Sequence, residues 1–186
     1  TSVYYDVQNM MTGGKVYFND PLSNYLNEIA SQILVSKPEL SGKIKIFATS
    51  SAVINAESWP NGYIFINIGE INAMDNVHQL AFTVAHEIAH FANKHAINSY
   101  KREKDISKQE TSDVENDDGD NYRTLRYSRE SEFEADAIGL QLLIASTFDA
   151  SESASSLRNF SKSDSADVEM NLGKYFNNEL FTIDIS

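Results

Sequence analysis

The sequence predicts an α+β fold, with a small twisted mixed sheet packed on one long helix and further helices around it. Three observations predict it. Two short segments alternate as strands do, an apolar stripe of helical period runs through residues 75–100, and a second follows at 128–147.

Taken in order, the first predicted helix opens at Asp20, whose carboxylate can cap, with Pro21 at the first helical position. Leu22, Tyr25, Leu26, Ile29 and Ile33 supply its apolar face, and Ser36-Lys37-Pro38 and Ser41-Gly42 end it. Residues 43–49 alternate, with Ile44, Ile46 and Ala48 on one face, which predicts a strand. A second strand is predicted at 63–68. Asn61-Gly62 before it is a hairpin signal, with the partner strand expected around Val53 to Ala56.

The long helix is expected from Asp75 or Asn76 to about Tyr100, burying Val77, Leu80, Ala81, Val84, Ala85 and Ile88. Residues 101–127 read as a solvated acidic loop, in which Glu103, Asp105, Glu110, Asp113, Glu115, Asp117, Asp118 and Asp120 crowd together. Residues 113–120 do not fit a calcium loop, because counting back from Gly119 puts Val114 at the first ligand position. The helix at 128–147 is expected to bury Phe133, Ala137, Leu140, Leu143 and Ile144. A serine-rich segment at 151–186 with short helices completes what reads as a single domain, its core at about 20–150. Tyr4, Tyr5, Tyr17 and Phe18 are expected in the core or a cleft wall.

The 186 residues carry 15 Lys plus Arg against 27 Asp plus Glu, a formal net charge of −12. That balance excludes a nucleic-acid binder, which needs a basic face to neutralise phosphates. No apolar run approaches the ~20 residues of a membrane span. There is no cysteine. Disulfides, thiolate metal sites and cysteine nucleophiles are thereby excluded, and any metal must be held by His, Asp or Glu.

The segment that carries chemistry is His86-Glu87-Ile88-Ala89-His90. Histidines at i and i+4 share a helix face, where both imidazoles can reach one Zn²⁺. Glu87 then stands beside the metal without being a ligand, placed to take a proton from the attacking water and pass it to a leaving amine. A catalytic zinc needs a third protein ligand. Glu132 and Asp136 form an i, i+4 pair on the later helix, with Glu132 as the candidate ligand and Asp136 as the acceptor for a ligand's distal N–H. By residue type Glu130 and Glu134 are rivals. Glu134 points about 200° round the helix from Glu132, so only one of those two can face the ion. Ala135, Ala137 and Gly139 would let this helix pack closely.

His95 lies about 140° round the helix from His90 and reads as a packing histidine or one that supports a ligand from behind. His78, two turns before His86, is too distant to join the same ion.

HEIAHFANKH at 86–95 followed by SRESEFEADAIGLQLL at 128–143 resembles the gluzincin metallopeptidase family forty-eight. That family includes the CAAX prenyl proteases, mitochondrial Oma-type peptidases and bacterial envelope-quality-control proteases. Ile54-Asn55-Ala56 and the stretch from Pro60 to Phe65 with Gly69 resemble the family's strand region, so the resemblance spans roughly residues 20 to 150. It implies a zincin-like fold, one zinc per chain held by His86, His90 and Glu132, and Glu87 as the catalytic residue. It also implies an edge strand near Asn55 and Ala56 along which a protein or peptide substrate pairs its backbone.

One departure stands out. Family members usually carry a later His or Arg that steadies the oxyanion, and no histidine follows Glu132 here. Arg158, Tyr127 and Tyr175 are the candidates to replace it. The expected function is a zinc-dependent endopeptidase. The alternative is a zinc-holding but weakly active or latent module that binds proteins in a chaperone-like way. The chain opens on Thr1, which leads us to expect removal of a leader, and with the family resemblance this leans toward a periplasmic or otherwise exported protein.

Overall fold

A computed structural model describes residues 2–98 and 129–155. Helix α1 (Ser2–Thr12) precedes α2 (Pro21–Ile33), followed by strands β1 (Lys45–Thr49), β2 (Ala56–Ser58) and β3 (Tyr63–Asn67). A short α3 (Ile68–Ala73), the long α4 (Val77–Ala92) and α5 (Arg129–Ile144) complete the main elements. The sheet is mixed and three-stranded, ordered β1-β3-β2. β1 runs parallel to β3 and β2 antiparallel to it, with Ala56 opposite Ile66 and Ser58 opposite Ile64. The α+β expectation is therefore met. Among the described residues no helix is long and apolar enough to cross a membrane.

α2 starts where its cap signals placed it: the Asp20 carboxylate accepts from the backbone N–H groups of Leu22 and Ser23, with Pro21 at the first turn. Such a cap contributes about 1 kcal/mol. Leu26, Ile29 and Ile33 are buried as expected, but Tyr25 is exposed at the margin of the stripe. α2 also closes the outer edge of β1. The Asn27 side chain accepts from Ile46 N–H at 3.0 Å and donates to Ile46 C=O at 2.7 Å, and Ala48 N–H donates to Ser23 Oγ at 3.0 Å. An edge paired in this way is protected from other chains.

A hairpin closes at Asn61-Gly62, but its first strand is Ala56–Ser58 and not the stretch around Val53 to Ala56 expected from the sequence. Trp59 N–H donates to Tyr63 C=O and Gly62 N–H to Trp59 C=O, with Gly62 at φ 86. A Cβ at Gly62 would fall 2.0 Å from the Lys43 carbonyl oxygen, so no other residue fits this turn. The back face of the sheet is filled by Val7, Val16, Phe47, Trp59 and Phe65. Of the aromatics expected in the core or a cleft wall, Tyr5, Tyr17 and Phe18 are exposed, with the Phe18 ring edge-on to Phe47. Tyr4 belongs to α1, and its side chain lies outside the described residues.

On the other face, Ile46, Ala48, Ile64 and Ile66 pack with α2, α4 and α5 into the main core. α4 is capped by Asn76, which accepts from the N–H groups of His78 and Gln79. It contacts α2, β2 and α5, and this surround explains why polar Thr83, Glu87 and His90 are buried along with its apolar stripe. His78 lies away from the other histidines and accepts from Asp149 N–H through Nδ1. Helix α5 buries Ala135, Gly139, Leu142 and Leu143. The predicted face was displaced: Leu143 is buried, Phe133, Ala137 and Leu140 are half-buried, and Ile144 is exposed. Close packing on α4 selects the small residues, and Ala135, Gly139 and Leu142/Leu143 form a single i, i+4, i+7, i+8 face.

Glu70 is wholly buried in α3, with Thr83 Oγ1 donating to one of its oxygens at 3.3 Å. Burial pushes its pKa up to about 7, against weaker lowering by Thr83 and His86. The unfolded chain ionises this group near 4.5, so its contribution to stability is fully present below pH 4.5 and is lost as pH climbs toward 7. Glu70→Gln should therefore leave stability nearly unchanged at pH 4.5 and raise it by about 3 kcal/mol at pH 8. Denaturant midpoints of both proteins at the two pH values check this. An equal difference at both would show that folding leaves the pKa of Glu70 unshifted.

Candidate metal centre

α4 presents His86 and His90 one turn apart, and α5 crosses it closely enough to bring Glu132 to the same point. A Cβ added at Gly139 would lie 3.1 Å from His86 N and 3.2 Å from His86 Cα. A larger residue there would lever α5, and Glu132 with it, away from the histidines.

His86 Nε2 and His90 Nε2 stand 2.9 Å apart, and Glu132 Oε2 is 3.3 Å from the first and 3.7 Å from the second. One ligand atom from each of the three residues lies within 4.8 Å of the others. Glu130, a rival by residue type, has no place in this cluster. Glu134 turns to other partners: Asn93 Nδ2 donates to its Oε1 at 2.7 Å, and its Oε2 is 3.2 Å from His95 Nε2. Asp136 Oδ1 accepts from His86 Nδ1 at 2.8 Å, the pairing expected from the sequence. Asn55 and Ala56 sit where β2, the outer strand of the sheet, begins beside α4.

The helix expected to continue to Tyr100 instead ends at Ala92. Lys94 adopts a left-handed backbone, φ 56, and helical structure resumes at 95–98. His95 is consequently not 140° round a continuous helix: its Nδ1 lies 2.9 Å from His90 Nδ1, and its side chain is buried.

The electrostatics suit a cation. Burial disfavours a charged His86, but hydrogen bonds to Asp136 and Glu132 outweigh it and hold its pKa well above the ordinary value. His90 is pushed down to about 4, chiefly by burial, and is neutral. Burial opposes ionisation of Glu132, yet the two histidines beside it, His86 before His90, prevail and hold its carboxyl far below the usual range. Glu87 goes the other way. Its burial pushes it up to about 8, with His86 opposing and Glu132, Glu57 and Glu70 adding to the rise. Its Oε2 is buried and has no hydrogen-bond partner among the described residues.

Two imidazole nitrogens and one carboxylate oxygen converge beside this orphaned oxygen, and that donor set fits a divalent ion such as Zn²⁺. An ion would take the place of the proton now shared between His86 and Glu132. A cavity of about 250 Å³ opens next to His90, walled by Leu40, Trp59, Pro60, Phe91 and Ile97, a feature that no motif announced. Tyr127, Arg158, Tyr175, the acidic segment 101–127 and most of the serine-rich segment lie outside the described residues.

Comparison with known proteins points the same way. Residues 12–109 match the family model Peptidase_M48, described as peptidase family M48. The mitochondrial metalloendopeptidase OMA1 of Homo sapiens is 43% identical over 51 residues, 27% of this chain and 10% of that protein. The protein of the same name from Danio rerio is 32% identical over 77 residues, 39% of this chain and 16% of its own length. The chain thus matches less than a fifth of the length of these curated relatives. The family match ends at residue 109, before Glu132, so Glu132 stands on the geometry of α5.

Proposed function

The chain belongs to peptidase family M48, a family of metal-dependent peptidases, and on that footing we propose that it is a zinc-dependent endopeptidase acting on proteins or peptides. The observation that carries the proposal is the convergence of His86 Nε2, His90 Nε2 and a Glu132 oxygen within 4.8 Å, with a buried Glu87 oxygen that has no hydrogen-bond partner among the described residues. His86, His90 and Glu132 would hold one zinc per chain. When bound, zinc polarises the scissile carbonyl and makes water acidic enough to attack near neutral pH.

The rest is the work of this chain's own residues. Asp136 accepts the Nδ1 proton of His86 and fixes the orientation of that ring. Glu87 takes the proton of the attacking water and hands it to the departing amine. Its raised pKa in the metal-free site suits a group that must both accept and return a proton, and a nearby cation would draw it down toward the working range. β2, with Asn55 and Ala56 at its start, offers an extended substrate a strand to pair with. The apolar cavity beside His90 is suited to a substrate side chain. A periplasmic or otherwise exported location rests on the resemblance to envelope proteases, and the reading of residues 1–186 as one domain on the length of the chain.

Digestion of casein and of a peptide library, with and without a chelator, tests the reading. Cleavage at internal bonds that stops on chelation and returns with zinc is expected. Retained zinc with no cleavage would favour the latent, protein-holding module.

A further inference from the structure

The metal-centre reading leaves His95, Glu134 and Asn93 without a role, and yet they form a hydrogen-bonded chain that ends on a ligand. Glu134 is a carboxylate and can only accept, so the proton in its 3.2 Å contact with His95 belongs to His95 Nε2. Asn93 Nδ2 donates to the other oxygen of Glu134 at 2.7 Å and holds that carboxylate in place. His95 Nδ1 lies 2.9 Å from His90 Nδ1, so the two rings share one proton. A His90 that offers its Nε2 lone pair to a metal carries its own proton on Nδ1, and His95 Nδ1 is placed to accept it.

His90 and His95 are both buried, which keeps bulk water from supplying either partner.

We propose that Glu134 and His95 are positioning residues that fix the tautomer of His90 and aim its Nε2 lone pair at the metal. They do for His90 what Asp136 does for His86, through one more ring. The break at Asn93 and Lys94 serves this arrangement. On a continuous helix His95 would point away from His90, and the left-handed Lys94 turns it back underneath. The inference rests on the metal-centre reading, but its test separates the two.

Long-range ¹H–¹⁵N correlation spectra of the metal-free parent report which nitrogen of each histidine carries the proton, and His90 should carry it on Nδ1. Zinc affinity is then measured by competition with a fluorescent chelator. His95→Phe, which fills the space but cannot accept, should weaken zinc roughly 10- to 100-fold. His95→Asn puts an amide oxygen near the position of Nδ1 and should recover most of that loss. Glu134→Gln, which can still accept from His95, should stay within about threefold of the parent. A histidine that merely packed would be replaced better by Phe than by Asn.

Equal zinc affinity in folded His95→Phe and parent would overturn the proposal, as would His90 protonated on Nε2 in the parent. If His95→Phe fails to fold, the parent's spectrum decides alone. A parent that binds no zinc would sink the metal-centre reading, while the tautomer of His90 would still test the relay.

Discussion

Glu87→Gln should retain zinc at the parent's level and lose about 10³-fold in kcat on any peptide the parent cleaves. The amide matches the carboxylate in shape, and the buried side chain already has one oxygen without a partner, so the fold has little reason to change. What disappears is the ability to accept a proton and return it. Burial has pushed Glu87 up to about 8, and the neutral amide resembles the protonated form that the metal-free site favours, so the variant should be no less stable near neutral pH. Zinc content and initial rates measured on the same preparation check both halves. Hydrolysis at the parent's rate would remove Glu87 from the chemistry.

Glu132→Ala should produce the opposite pattern, with the machinery for proton transfer intact and the metal gone. Among the described residues Glu132 is the one oxygen ligand in the cluster, on the first turn of α5 and half-exposed, so its removal opens no cavity. Zinc affinity should fall roughly 100-fold or more, a larger loss than the 10- to 100-fold expected from disturbing a supporting hydrogen bond. Activity should fall with it and recover in part at high zinc concentration. Chelator competition measures the first effect and a zinc titration of the rate the second. An unchanged affinity would mean that some other group completes the ligand set.

The parts of this site that were legible in the sequence are those set by helical geometry. His86 and His90 lie at i and i+4 within a stripe of Leu80, Val84 and Ile88, so their common face followed from spacing. The same spacing paired Glu132 with Asp136, and the 200° offset of Glu134 kept it from the metal. The hairpin at Asn61-Gly62 was visible because its turn demands a residue with positive φ.

What escaped notice depended on tertiary contact. The end of α4 at Ala92 carries neither glycine nor proline, and the apolar pattern runs on through Ala96 and Ile97, so nothing local announced the left-handed Lys94. Asn93 is a weak terminator at best. The roles of His95 and Glu134 depend on that break, and they emerged only with it. The buried face of α5 was misjudged because large apolar residues were favoured over the small ones that α4 requires at close range. Tyr5, Tyr17, Phe18 and Tyr25 were assigned inward by hydrophobicity, although the back of the sheet is already filled by Phe47, Trp59 and Phe65. The acidic charge of segment 101–127 belongs to residues outside the described structure.

The central claim is that His86, His90 and Glu132 form a zinc site, and elemental analysis of the purified chain after dialysis against metal-free buffer tests it most directly. One zinc per chain in the parent, and markedly less in Glu132→Ala, is the expected result. A parent that holds no zinc, or one whose zinc persists in full when Glu132 is removed, would contradict it.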